Sequence, residues 1–329
     1  MGLTTDETRV KEQEFINTPF QFSFNSLSKL LTVPSQFYKE YVLEEREKIT
    51  TKYFTKGELI HYLVLQDGHI DDKYCVLPND LPSPNVVSIL DKLYAETPEK
   101  SLDECADRID EILTEINLYQ TIKDRDKRVA KVADDKGVSY WNYLHNAEGK
   151  IAISSDMMLE CVELAEIIKS NDEIMRYLGR GLDGDRYAVY NEYELQIDKL
   201  SSYNFGLKGV IDNFVVDTQD KIVYINDFKT TSKNIQDFPE SVKNYGYYWQ
   251  AAIYYTLIKK CMKLEDDWQV KFAFIVFDKN NQLYRYEVLS NTMEAWRINL
   301  SSDLSIAGWH LDNMRFDLPY KFAIGKMKL

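Results

Sequence analysis

Apolar positions recur at helical spacing through the first half of the chain and at strand spacing through much of the second. In FSFNSLSKLLTVPSQFYKEYV, Leu27, Leu30 and Leu31 follow Asn25 or Ser26 as an N-cap and Pro34 marks a break, which predicts two short helices. TKGELIHYLVLQ continues as a helix turning Leu59, Ile60, Leu63 and Val64 toward a core, with Gly57 and His61 sharing a face at i, i+4. SLDECADRIDEILTEINL places Ser101 three residues before Glu104, a capping box, and SSDMMLECVELAEIIKSNDEIMRYL is a further amphipathic helix. Residues 1 to 20 lack clear periodicity. Residues 67 to 98, rich in Asp, Pro and Asn, read as loop, and the alternating charges of KDRDKRVAKVADDKG read as a solvated helix face.

From residue 187 the period becomes two. YAVYNEYELQI, FGLKGVIDNFVVD and KIVYINDFKTT predict three strands, and VKFAFIVFD with LYRYEVL an antiparallel pair. YGYYWQAAIYYTLIKKCM lies between these groups, and its length and alanines favour a helix. The class expected is α/β (α+β): an N-terminal arm over residues 1–21, then one domain over 22–329 with a helical insertion at about 67–150. The last forty or so residues carry no motif.

With 329 residues, 44% of them hydrophobic, the chain can bury a substantial core. No stretch approaches the roughly 20 apolar residues that span a bilayer, and no cleavable leader is visible, so a soluble protein of the cytoplasm is expected, with no membrane partner. Cys75, Cys105, Cys161 and Cys261 form no CxxC pair and suggest reduced thiols. A formal net charge of -13 argues against nucleic-acid binding through an overall basic surface. It leaves open a local basic groove, or a carboxylate site whose charge a metal inverts.

The second and third strands carry the chemistry. If they pair through the turn TQDK, Asp212 and Asp227 approach across the hairpin, and alternation sets Asp227 and Lys229 on one face. Two carboxylates can hold a hard divalent cation while an ammonium steadies an attacking hydroxide or the charge developing on phosphorus, whereas a plain ion pair at a strand end is the bland alternative. Glu192 and Glu194 share a face of the preceding strand; either could add a third carboxylate, with Glu192 favoured only slightly. Gln250 and Tyr254 share a helix face and could meet phosphate, base or a catalytic carboxylate, or pack beneath the sheet. His61, taken alone, reads as a core histidine.

GELIH, YNEYEL, GVID, DFK and QAAIY occur in the order seen in the PD-(D/E)XK nuclease superfamily, and the chain resembles its RecB-like and RecE-like phage exonuclease branch over roughly residues 22 to 290. The resemblance implies a restriction-endonuclease-like core, with a central mixed sheet flanked by helices. It makes Asp212 and Asp227 metal ligands, Lys229 the catalytic lysine and Glu192 a further acidic member. It also brings His61 and the backbone carbonyl of Phe228 to the metal, and Gln250 and Tyr254 to the nucleic acid. The cofactor implied is Mg²⁺, with Mn²⁺ as a substitute. Some relatives hold an iron–sulfur cluster through a late cysteine trio; Cys261 is the only cysteine beyond Gln250, so no cluster is expected.

The function implied is a metal-dependent deoxyribonuclease, foremost an exonuclease on linear DNA in phage or bacterial recombination, repair or replication. A structure-specific endonuclease and a catalytically silent DNA-binding or assembly module are the alternatives. DNA is the implied partner, with a single-strand annealing or recombination protein and a homo-oligomeric assembly as further expectations. No Walker A loop is present, so a motor would have to come from another chain.

Overall fold

The computed structural model describes residues 4–45, 52–66 and 70–327, with side chains at 52–55 excepted. The first residues of the arm and positions 67–69 of the predicted loop lie outside the described residues. The strands are β1 (Gln21–Phe22), β2 (Tyr74–Val76), β3 (Ile151–Ile153), β4 (Tyr187–Ile197), β5 (Gly206–Asp217), β6 (Ile222–Thr231), β7 (Gln269–Asp278) and β8 (Leu283–Val288). The chain divides into two compact units, residues 1–65 with 166–329, and residues 66–165.

The larger unit is built on a mixed six-stranded sheet in the order β1-β5-β6-β7-β8, with β4 along the other edge of β5. β5 runs antiparallel to β4 and β6, β6 runs parallel to β7, and β8 returns antiparallel to β7. Residues 211–217 and most of β7 are buried, and in β7 this explains a nearly unbroken apolar run, since a strand covered on both faces loses the alternation of a half-exposed one. The β6-to-β7 crossover contains the helix Tyr247–Cys261, whose Ala251, Ala252, Ile253, Leu257 and Ile258 enter the core with Leu207, Ile211, Phe272 and Phe274. Behind it lies the helix Ser290–Asn313, tied by Trp249 Nε1 donating to Asp303 at 2.7 Å.

The start of the chain departs from the sequence reading. Thr5–Asn17 is a helix closed by a Thr4–Glu7 capping box, yet it buries no residue, so it has no apolar period to detect. Gln21 and Phe22 then join β5 as a short parallel strand.

The smaller unit packs helices Pro84–Glu96, Ala106–Glu115 and Asp135–Ala147 around Ile89, Leu90, Leu93, Ile109, Leu113 and Trp141, with β2 parallel to β3. The segment 67–98 is therefore not all loop. Pro84 sits at the first turn of its helix, where its missing N–H and fixed φ favour initiation, and this explains why a punctuation signal concealed an element. Residues 66–165 hold 11 Lys and Arg against 21 Asp and Glu, so most of the chain's excess negative charge belongs to this unit.

Candidate active site

The site forms where β5 and β6 part. Their ladder runs from Asp217↔Ile222 to Asn213↔Asn226 and stops. At the next step the Asp212 carboxylate replaces a backbone acceptor, its Oδ2 accepting the Phe228 N–H at 2.8 Å. On the other edge, the pairs Asn191↔Asn213 and Tyr193↔Ile211 flank Glu192, which falls across from Asp212 outside the ladder. Glu192 has φ of 46°, a left-handed conformation that costs a non-glycine residue on the order of 1–3 kcal/mol unless its surroundings hold it there. The break in alternation is visible in the neighbours: the rings of Tyr190 and Tyr193, which an unbroken strand would place on opposite faces, lie 5.2 Å apart.

His61 reaches this point from the helix Lys52–Leu65. Its Nε2 is 2.8 Å from the Phe228 carbonyl, and its Nδ1 lies 3.7 Å from Asp212 Oδ2 and 3.8 Å from Glu192 Oε1. Burial disfavours the imidazolium, but Asp212 and Glu192 outweigh it, and the His61 pKa is raised. The tautomer that donates from Nε2 to Phe228 leaves the Nδ1 lone pair facing the two carboxylates. One donor atom each from His61, Glu192 and Asp212 falls within 4.8 Å of the others. Gly57, one turn earlier, permits the approach to β6, since a Cβ there would lie 3.2 Å from Thr230 Oγ1.

Asp227 is fully buried, and its Oδ1 has no hydrogen-bond partner. Lys229 Nζ stands 2.5 Å from Asp227 Oδ2 as an ion pair. Burial pushes the Asp227 pKa up to about 6 against the pull of Lys229, while Asp227 and Asp212 together hold Lys229 above its ordinary value despite its burial. A buried carboxylate oxygen without a donor, as Asp227 Oδ1 is, is costly unless something else engages it. With the His61, Glu192 and Asp212 donors nearby, the residues fit a divalent cation, the carboxylate oxygens suiting a hard ion and the imidazole nitrogen adding a ligand that transition metals accept. Asp227 stands outside the three-residue cluster, and the Phe228 carbonyl faces His61.

Gln250 and Tyr254 are both buried. Gln250 Nε2 donates to the Tyr254 hydroxyl at 3.0 Å, and that hydroxyl donates to the Val210 carbonyl at 2.6 Å. Gln250 Nε2 and the Tyr254 hydroxyl are thus turned toward β5, two residues from Asp212. Gly209 is what admits the tyrosine: a Cβ there would meet the ring at 2.8 Å. Glu194 pairs with Val210, is exposed and does not join the cluster.

Two features were missed from the sequence. Asn213 Nδ2 donates to Asn191 and to the Leu178 carbonyl, and Asn226 Nδ2 to Asn213 and to the Tyr177 carbonyl, so a buried amide network clamps the hairpin just behind the carboxylates. Its only signal was polar residues beside Asp212 and Asp227 in otherwise apolar strands. The other is Tyr247, whose ring lies 5.1 Å from Lys229 Nζ.

Residues 21–317 match the PD-(D/E)XK nuclease superfamily. The chain belongs to that superfamily. The mixed sheet is this chain's version of the nuclease fold, and the chemistry that the family implies is divalent-metal-dependent phosphodiester hydrolysis. Among solved structures, a presumptive exonuclease from Eubacterium rectale is 12% identical, with a TM-score of 0.44 over 97% of this chain and 88% of that one. The protein SSO0001 is also 12% identical, with a TM-score of 0.28 over 84% of this chain and 96% of that one. No curated protein matches the sequence. Among the nuclease's described residues, no helix is long and apolar enough to cross a membrane.

Proposed function

We propose that the protein is a Mg²⁺-dependent exodeoxyribonuclease of the RecB-like and RecE-like branch, acting on linear DNA in recombination, repair or replication. The observation that carries the reading is the meeting of His61, Glu192 and Asp212 within 4.8 Å, from elements far apart in sequence, at the strand end that also presents Lys229. Supporting it is the order of the five motifs, GxxxH, the acidic strand, GxxD, DxK and QxxxY.

His61, Glu192, Asp212 and Asp227 would hold the cation, which when bound supplies Lewis-acid activation of water and phosphate. Lys229 stabilises charge developing on the phosphoryl oxygens, its ammonium kept protonated by Asp227 and supported by the Tyr247 ring. Nε2 of His61, donating to Phe228, fixes the imidazole so that Nδ1 faces the cation site. Tyr254 and Gln250 hold β5, and with it Asp212, in place.

Incubating linear and covalently closed circular forms of one plasmid with Mg²⁺ tests the reading. Progressive loss of the linear form with the circle intact is expected. Equal attack on both forms would make the protein an endonuclease, and no attack on either would remove the catalytic reading.

A further inference from the structure

A row of two rings between two cations leads outward from Lys229. Its ammonium lies 5.1 Å over the Tyr247 ring, the Tyr245 ring follows at 5.6 Å, and Lys233 Nζ stands 5.7 Å over Tyr245. Exposure rises from the Lys229 side chain, 16% exposed, through the half-buried Tyr247 to Tyr245, 55% exposed, and Lys233 beyond it is half-buried.

The outer members stand on fixed supports. Gly246, at φ of 71°, makes the turn between the two tyrosines, and a Cβ there would lie 2.6 Å from the Trp249 ring. Lys233 donates its backbone N–H to Thr231 Oγ1 at 3.1 Å. Two residues on, the Ile235 N–H donates to Asp278 at 2.9 Å, and the Ile235 carbonyl accepts from the Tyr286 hydroxyl at 2.6 Å. A large ring and a cation held at the surface are arranged in advance for a ligand with a flat apolar face and a negative charge beside it.

We infer that this row is the track by which a single DNA strand reaches the site, with an unpaired base stacked on Tyr245 and the adjoining phosphate at Lys233. The inference rests on the nuclease reading of the site and adds to it the form of the substrate. Base faces inside a duplex are already stacked, so Tyr245 can serve only a strand that is unpaired where it enters. Stacking also suits a chain with a net charge of -13, which cannot hold DNA by broad charge attraction.

The test is fluorescence anisotropy with labelled oligodeoxythymidylate, using the full chain in EDTA and at several salt concentrations. Tyr245→Ala is expected to weaken binding about tenfold or more, the loss typical of one stacked base, with Tyr245→Phe restoring it. Lys233→Ala is expected to lower the salt dependence by about 0.7 in the log–log slope, one phosphate contact on a single strand. Tyr284→Ala, which removes a comparably exposed ring from β8, is expected to bind as the unaltered protein does. Blunt-ended duplex binding is expected to be indifferent to Tyr245→Ala.

Affinity within twofold of the unaltered protein for both Tyr245→Ala and Lys233→Ala would overturn the track, as would equal losses on duplex and single strand. Cleavage by the unaltered protein in Mg²⁺ separates the two readings. Cleavage with no dependence of binding on Tyr245 refutes the track alone, and Tyr245-dependent binding without cleavage upholds the track and refutes the nuclease reading.

Discussion

The Tyr254 hydroxyl donates to the Val210 carbonyl from the helix Tyr247–Cys261, and the same ring covers Gly209 so closely that a methyl group there would sit 2.8 Å from it. Two motifs some forty residues apart are therefore one contact, and its purpose is to set the height of β5 beneath the helix. Asp212 is two residues beyond Val210 on that strand.

Gly209→Ala should therefore destabilise the protein by about 1–3 kcal/mol, the usual cost of overpacking, and lower cleavage by shifting Asp212. Tyr254→Phe keeps the ring and loses one hydrogen bond, worth about 1 kcal/mol. Urea unfolding beside cleavage rates checks both. A Gly209→Ala protein as stable as the unaltered one would show that the ring does not press on the strand.

Asp212→Ala, Asp227→Ala and Lys229→Ala should each lower the cleavage rate by on the order of 10²–10³-fold or more while leaving a folded protein, because each removes a ligand or a charge acting on the chemical step. Far-ultraviolet circular dichroism and single-turnover cleavage measure the two effects separately. Near-normal rates in all three folded variants would remove the proposed site.

His61→Ala should weaken divalent-cation binding, read by isothermal titration, more than it lowers the melting temperature. The imidazole is part of the three-residue donor cluster, and its Nε2 lies 2.8 Å from the Phe228 carbonyl. A large fall in melting temperature with cation affinity unchanged would make His61 a packing residue.

Arg186 grips Asp217 through two hydrogen bonds, of 2.9 and 2.6 Å, at the β5–β6 turn, and holds its pKa down to about 2. A carboxyl depressed in the folded state adds stability above its unfolded value near 3.9 and loses it as pH falls through the folded value. Asp217→Asn should accordingly melt below the unaltered protein at pH 7, the gap closing between about pH 4 and pH 2. A gap constant across that range would mean that the carboxylate charge contributes nothing.

Much of the larger unit is legible in the residue pattern, because its strands and helices are long and each has a definite burial environment. The period of two from residue 187, the apolar runs of β5 to β7 and the alanine-rich helix Tyr247–Cys261 each express one local constraint, the need to cover a sheet. Alternation likewise places Asp227 and Lys229 on one face before any contact is known. The helix Thr5–Asn17 and the helix begun by Pro84 escape that logic, one because it buries nothing and the other because its first residue imitates a stop.

Convergence across the chain is not a local property. Glu192 and Glu194 have the same parity, and what sets Glu192 opposite Asp212 and leaves Glu194 exposed is a left-handed backbone angle and the partner strand's register, neither of which leaves a periodic trace. His61 lies 167 residues from Phe228 and reaches it because Gly57 lets a helix settle on β6. The spacing of Gln250 and Tyr254 predicts a shared face but not its direction, and packing turns that face onto β5. Periodicity records which side of an element is covered; only the assembled sheet determines what covers it, and with it which charges are left facing one another.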